Sequence, residues 1–210
     1  MVIREDLRRC GRLLVERGLV WRRSGNISAR VEPNTCLISA GGSELGSLQD
    51  DDLVLCRVDK DSCEGAKKPS MELWLHRGVY RSCSDAMAII HSQPLYSTLV
   101  SCSDIAVRTD FLPEAMAYLG DVARVPYHHA GSRELAEATA AKAKKSQVLL
   151  LENHGVVCWG SSLDEALLKT ETLEFVCRLL VLSRASGLAL NLLGEDVAAD
   201  FLRHLRDIDR

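Results

Sequence analysis

Apolar residues at Ile3, Leu7, Cys10 and Leu14 recur at helical spacing through a charged segment, and Gly18 follows as a stop. They predict an amphipathic first helix. The pattern then changes to short apolar runs. Ser24-Gly25-Asn26 turns into a strand through Arg30, and Cys36-Leu37-Ile38-Ser39 predicts a second strand leading into Ala40-Gly41-Gly42-Ser43. Leu53 to Val58 reads as a third strand, preceded by Asp50-Asp51-Asp52, which is expected to be a solvated turn. Polar residues from Asp61 to Lys68, with Gly65 among them, predict an exposed loop.

A helix is predicted from near Ser70 through Tyr80, followed by the apolar run Ala86 to Ile90, which ends in His91-Ser92-Gln93-Pro94. Pro94 suits the first turn of a helix through Leu99. Asp104 to Asp121 shows no clear period, and Pro113 interrupts it. Val122 to Tyr127 resembles a strand, and Ser132-Arg133-Glu134 opens an Ala-rich helix to Lys145 with Ser132 as its N-cap. Val148 to Leu151 and Val156 to Trp159 read as strands joined at the polar corner Glu152-Asn153-His154-Gly155. Ser162-Leu163-Asp164-Glu165 has the form of a capping box, opening a long helix that Gly187 ends. A last helix is expected from Glu195 to about Asp209, where Leu202, Leu205 and Ile208 could pack on a neighbour or on the same domain.

The 210 residues, 47% of them hydrophobic, suit one domain over residues 1–210 with a substantial core. A net charge of −3 and no long Lys/Arg cluster argue against nucleic acid as a partner. The charged N-terminus lacks the apolar stretch of a secretory signal, and no run of about 20 apolar residues is present to span a bilayer, so a cytoplasmic location is expected. The eight cysteines show no CxxC spacing, and reduced thiols are expected for them.

The chemistry-bearing residues gather at element ends. Glu72 stands at the start of a helix, which would lower its pKa, whereas burial beside Met71, Leu73 and Trp74 would raise it. His76, four residues on, shares its helix face and could pair with it. His91 and His154 each lie next to an apolar run, where an imidazole can reach a cleft; a lone histidine there is more often a satisfied core or surface residue. Residues i and i+2 of a strand point to the same side, so His91 and Gln93 can face one ion, although an amide is a weaker zinc donor than imidazole. His128-His129 could line a pocket or sit in a solvated turn. The Gly25-Asn26 and Gly41-Gly42 turns can present backbone N–H groups to an anion, or simply turn.

In this order, Ser24-Gly25-Asn26-Ile27-Ser28, Leu37 to Gly42, Pro69-Ser70-Met71-Glu72, Ile90 to Pro94, Val125-Pro126-Tyr127 with Gly131 to Leu135, and Glu152-Asn153-His154-Gly155 resemble the class II aldolase/adducin family. The resemblance spans residues 5 to 187. It implies a three-layer α/β/α single domain with a mostly antiparallel central sheet, commonly a homotetramer with sites between subunits. It also implies a divalent ion, zinc first and manganese or another ion second, at His91, Gln93 and His154. Glu72 falls on the family's acid/base position. Gly25, Asn26, Gly41, Gly42 and Ser70 fall on its substrate-phosphate grip. In that chemistry a metal chelated by a hydroxy-carbonyl substrate stabilises the enediolate formed on carbon–carbon cleavage, and the same electron sink serves decarboxylation.

Four departures bear on this expectation. Gln93 replaces the second histidine of a His-x-His pair, Met71 replaces a phosphate-gripping serine, and Gly41 stands where threonine is common. The tyrosine that family aldolases offer from a neighbouring subunit has no clear counterpart in Asp104 to Asp121, which carries Phe111. Three readings follow: an aldolase-type lyase acting on a small hydroxy-carbonyl substrate, a metal-dependent decarboxylase on the same scaffold, or a non-catalytic adducin-like assembly module. Joint retention of Glu72, His91 and His154 favours the enzymes.

Overall fold

The computed structural model describes residues 2–208. Eight strands form one sheet in the order β4-β3-β2-β1-β5-β8-β7-β6: β1 (Asn26–Glu32), β2 (Thr35–Ser39), β3 (Leu53–Arg57), β4 (Cys63–Glu64), β5 (Ala88–Ser92), β6 (Val122–Val125), β7 (Val148–Leu151) and β8 (Gly155–Gly160). Only β6 and β7 run parallel; every other pairing is antiparallel. The helices are α1 (Val2–Glu16), α2 (Leu73–Ser82), α3 (Leu95–Ser101), α4 (Pro113–Leu119), α5 (Arg133–Ala143), α6 (Leu163–Ser186) and α7 (Glu195–Ile208).

Alternation along the strands divides the core into two layers. Ile38, Ile89, Leu149 and Val157 face Leu75, Val79 and Leu135 of α2 and α5. Ile27, Leu37 and Ile90 face Leu7, Leu14 and Leu167 of α1 and α6, while Val148, Leu150 and Val156 face α3, α4 and the middle of α6. Helices therefore cover both faces of the sheet, and strands buried on both faces read as unbroken apolar runs. This is the expected three-layer α/β/α arrangement.

Local signals mark the helix ends well. Ser132 Oγ accepts from Leu135 N–H, Ser162 Oγ accepts from Glu165 N–H, and Gly187 closes α6 in the left-handed conformation. Glu165 turns back to Ser161 rather than to Ser162. No helix among the described residues is long and apolar enough to cross a membrane.

Several expectations are corrected. Pro113 does not interrupt an element: it is the first residue of α4, where its missing N–H costs no hydrogen bond. Asp50–Asp52 forms a short 3-10 turn, and Asp52 is buried, accepting from Lys67 Nζ, Ser43 Oγ and Gln49 N–H. The loop before α2 contains β4, whose Cys63 stands in register with Cys56 of β3. That pairing brings the two Cα atoms within 4.1 Å and joins them in a disulfide, while the other six cysteines are free thiols. In α7, which packs against α4, Leu202 remains partly exposed; the side chain of Ile208 and the expected helix end at Asp209 lie outside the described residues.

Candidate metal centre and active site

The site lies where β5 leaves the sheet. β5 is hydrogen-bonded on one side to β1 and on the other to β8, which places His91 opposite Asn26 and Val157. Two glycines allow the approach of neighbouring backbone. Gly25 has φ +76°, and a Cβ there would stand 2.7 Å from the His91 carbonyl oxygen. Gly155, at φ +150°, would place a Cβ 2.6 Å from the Ser92 carbonyl oxygen and 2.9 Å from Gln93 Cγ. The β7–β8 corner between them holds His154, with Asn153 in the left-handed region. Its N–H groups are tied down, Asn153 donating to Ser101 O and His154 to Leu151 O.

Glu72 arrives from the other direction, at the N-cap of α2. Ser70 N–H donates to Ser39 O, fixing the Pro69-Ser70 segment beside β2, and Ser70 Oγ accepts from Glu72 N–H. Glu72 as a residue is only 3% exposed.

Glu72 Oε2 lies 3.0 Å from His91 Nε2, and Glu72 Oε1 lies 3.3 Å from His154 Nε2. Neither carboxylate oxygen accepts a hydrogen bond among the described residues. His91 Nδ1 is 2.9 Å from the Val156 carbonyl oxygen, an acceptor only, so Nδ1 carries a proton. In the neutral ring Nε2 then turns a lone pair towards the carboxylate. Gln93 Nε2 sits 2.7 Å from the same His91 Nε2, and Gln93 Oε1 is a buried atom without a partner among the described residues.

This donor set fits a divalent cation. Ligand atoms at about 2.0–2.2 Å from zinc stand roughly 3.0–3.5 Å from one another, and a cation removes the opposition of carboxylate and imidazole lone pairs. The Val156 carbonyl accepts from His91 Nδ1 a hydrogen bond of the kind that orients an imidazole for a metal. Burial first, and then the neighbouring His91, lowers the His154 pKa against the opposing pull of Glu72, which favours the neutral, ligating form. A half-turn of the Gln93 amide would bring its oxygen to the position its nitrogen now takes beside His91.

His76 does not pair with Glu72. Its Nε2 lies 2.6 Å from Asn26 Oδ1 and its Nδ1 2.7 Å from Ser28 Oγ, which in turn lies 2.7 Å from Tyr80 Oη. Burial, followed by the neighbouring His91, pushes its pKa down to about 3. A sequence signal existed: Asn26 and Ser28 share one face of a strand, and His76 and Tyr80 share one face of a helix.

The other residues singled out in the sequence lie outside this cluster. Gly41 packs on Pro69 and Ser70, Gly42 follows in the left-handed conformation, and Asp52 braces the same turn through Ser43. Met71 is 70% exposed. His128 and His129 are not drawn into the cluster; they line a separate cavity of about 240 Å³ with Tyr127, Ser132 and Glu134. The stretch from Asp104 to Asp121 does carry a tyrosine, Tyr118 on α4, 42% exposed.

The sheet order and the buried convergence of two imidazoles on a carboxylate define a class of α/β proteins with a His/Glu cluster suited to a divalent cation. The chain belongs to the class II aldolase family: the model described as Class II Aldolase and Adducin N-terminal domain matches residues 5–181. An L-fuculose phosphate aldolase of Methanocaldococcus jannaschii is 37% identical over 172 residues, covering 82% of this chain and 92% of the relative. A 3-oxo-tetronate 4-phosphate decarboxylase of Haemophilus influenzae is 34% identical over 173 residues, covering 80% and 82%. The crystal structure of YgbL from Klebsiella pneumoniae, described as a candidate aldolase/epimerase/decarboxylase, superposes with a TM-score of 0.88 at 32% identity, covering 95% of this chain and 97% of that one.

Proposed function

We propose that the chain is a metal-dependent carbon–carbon lyase of class II aldolase type acting on a small hydroxy-carbonyl substrate, sugar-like and phosphorylated or carboxylated. The observation that carries this reading is the buried Glu72 carboxylate, 3.0 and 3.3 Å from two imidazole nitrogens and without a hydrogen bond among the described residues. His91, His154 and the Gln93 amide oxygen would hold the ion, zinc first. When bound, such an ion supplies a Lewis acid for the oxygens of the substrate. Glu72, tied to no donor, takes and returns the proton at the carbon where the bond breaks or forms. Gly25, Asn26, Gly41, Gly42 and Ser70 bind the substrate's anionic end. A homotetramer is the assembly proposed from the family.

Decarboxylation is the second reading. It is supported by the Haemophilus influenzae relative, whose name gives decarboxylase chemistry on the same scaffold. The test is turnover of L-fuculose 1-phosphate and of 3-oxo-tetronate 4-phosphate by wild type and by Glu72→Ala, with the fold of both followed by circular dichroism. Release of an aldehyde supports the aldolase, release of carbon dioxide the decarboxylase, and Glu72→Ala should lose about 10²–10⁴-fold in rate. Unchanged turnover in Glu72→Ala would remove Glu72 from the mechanism. A wild type that binds no metal and turns over neither substrate would favour the adducin-like module.

A further inference from the structure

Four buried side chains form a hydrogen-bonded chain from the core to the edge of the site: Tyr80, Ser28, His76 and Asn26. The direction of each proton in it follows from proton counting. Asn26 Oδ1 is an acceptor only, so His76 Nε2 carries the proton it receives. The neutral ring then accepts at Nδ1, where the Ser28 hydroxyl must donate. With its only proton committed, Ser28 accepts in turn from the Tyr80 hydroxyl. Every polar hydrogen of Tyr80, Ser28 and His76 has an acceptor in this sense.

The reverse sense fails. With Asn26 Nδ2 against the ring, His76 Nδ1–H would donate to Ser28, and one hydroxyl proton of Ser28 or Tyr80 would be buried with no acceptor. The orientation of the Asn26 amide is therefore set by a residue on another element. Its free end makes no hydrogen bond among the described residues and is not sealed from solvent. It follows Gly25 directly and stands in register with His91.

We propose that His76 is a positioning residue that locks the Asn26 amide with its N–H donors towards the cleft, where they hold an oxyanion of the ligand, phosphate or carboxylate. The proposal rests on reading Asn26 as a substrate-binding residue. It assigns no contact between His76 and the substrate itself. Its role is to stop the amide from turning its carbonyl oxygen towards an anion.

Inorganic phosphate and, separately, acetate are titrated into chelator-treated protein by calorimetry, so that neither can bind through metal. Binding of one identifies the anion class, and Asn26→Ala and His76→Leu should each weaken it by about tenfold, or about 1.4 kcal/mol. His76→Gln, which keeps one donor and one acceptor, should stay within about threefold of wild type, because a planar amide can replace both ring nitrogens. Wild-type affinity in His76→Leu, or no binding of either anion to wild type, would overturn the proposal. If His76→Leu does not fold, nitrogen NMR of the wild-type ring decides: the Nε2–H tautomer is expected, and the Nδ1–H tautomer would refute it. Absence of lyase turnover with the anion series as expected would remove the proposed reaction and leave the His76 role standing.

Discussion

Asn26 and His91 stand directly opposite one another across the β1–β5 ladder, so the turn proposed to face an anion and the imidazole proposed to face a cation are joined by backbone register. Side-chain reach plays no part in that pairing. A change that displaces either strand end moves both halves of the site, and Gly25 leaves no room for a Cβ beside the His91 carbonyl.

Gly25→Ala should therefore cost more than a positive φ alone. A Cβ at Gly25 meets His91 O at 2.7 Å, whereas Gly42, at φ +77°, has nothing within 4 Å. Gly42→Ala is expected to lose about 1 kcal/mol and Gly25→Ala about 2–3 kcal/mol, with weaker metal binding in the second only. Urea unfolding of the two variants checks this; equal losses would mean that the close approach does not constrain β5.

Metal content should follow the donor set. Wild type is expected to retain about one divalent ion per chain by elemental analysis, His154→Ala to lose it, and Gln93→His to bind about tenfold tighter or more, since imidazole is the better donor for zinc. Chelation should lower the wild-type Tm, as removal of any ligand specific to the folded state does. A Gln93→His protein that alone holds metal would mean that the natural chain has left metal-dependent chemistry.

Glu72→Gln separates the two roles of the carboxylate. In chelated protein the amide offers His91 Nε2 a hydrogen where Glu72 offers only lone pairs, so the variant should be more stable than wild type by about 1–3 kcal/mol. In metal-loaded protein the order should reverse. Denaturation with and without chelator measures both, and a variant less stable than wild type in both conditions would contradict the lone-pair account.

Acid should destabilise the fold through its buried imidazoles. His76 is held down to about 3 and His154 below its usual value, both chiefly by burial, so the unfolded chain takes up protons first as pH falls below about 6.5. Stability is full above that pH and declines from it towards pH 3, by at most about 1.4 kcal/mol per pH unit for His76. His76→Gln should flatten the decline over the same window in melts of chelated protein. An unchanged slope would assign the acid sensitivity elsewhere.

The features legible in the chain were those made by near neighbours. Ser132, Ser162 and Gly187 act within one helical turn, so the ends of α5 and α6 could be read directly. Covered on both faces, β5, β7 and β8 announced themselves as apolar runs, and His91 and His154 stood out at their ends. Pro113 misled because proline both breaks helices and begins them, and its position relative to α4 decides which. Asp52 looked solvated because Lys67, its partner, comes fifteen residues later, in a loop with no periodic signal.

By itself, then, the sequence determined the amphipathic periods, the caps, the Gly-bearing turns and the ordered set of motifs that mark the family, because each depends on a few adjacent residues or on their order. Tertiary structure alone decided who meets whom. It inserted β1 between β2 and β5, set Cys63 beside Cys56, and brought His76 to Asn26, fifty residues away, rather than to Glu72 on its own helix. The physical reason is that buried polar groups must find hydrogen-bond partners, and strand order, which local pattern does not encode, settles which partners are within reach.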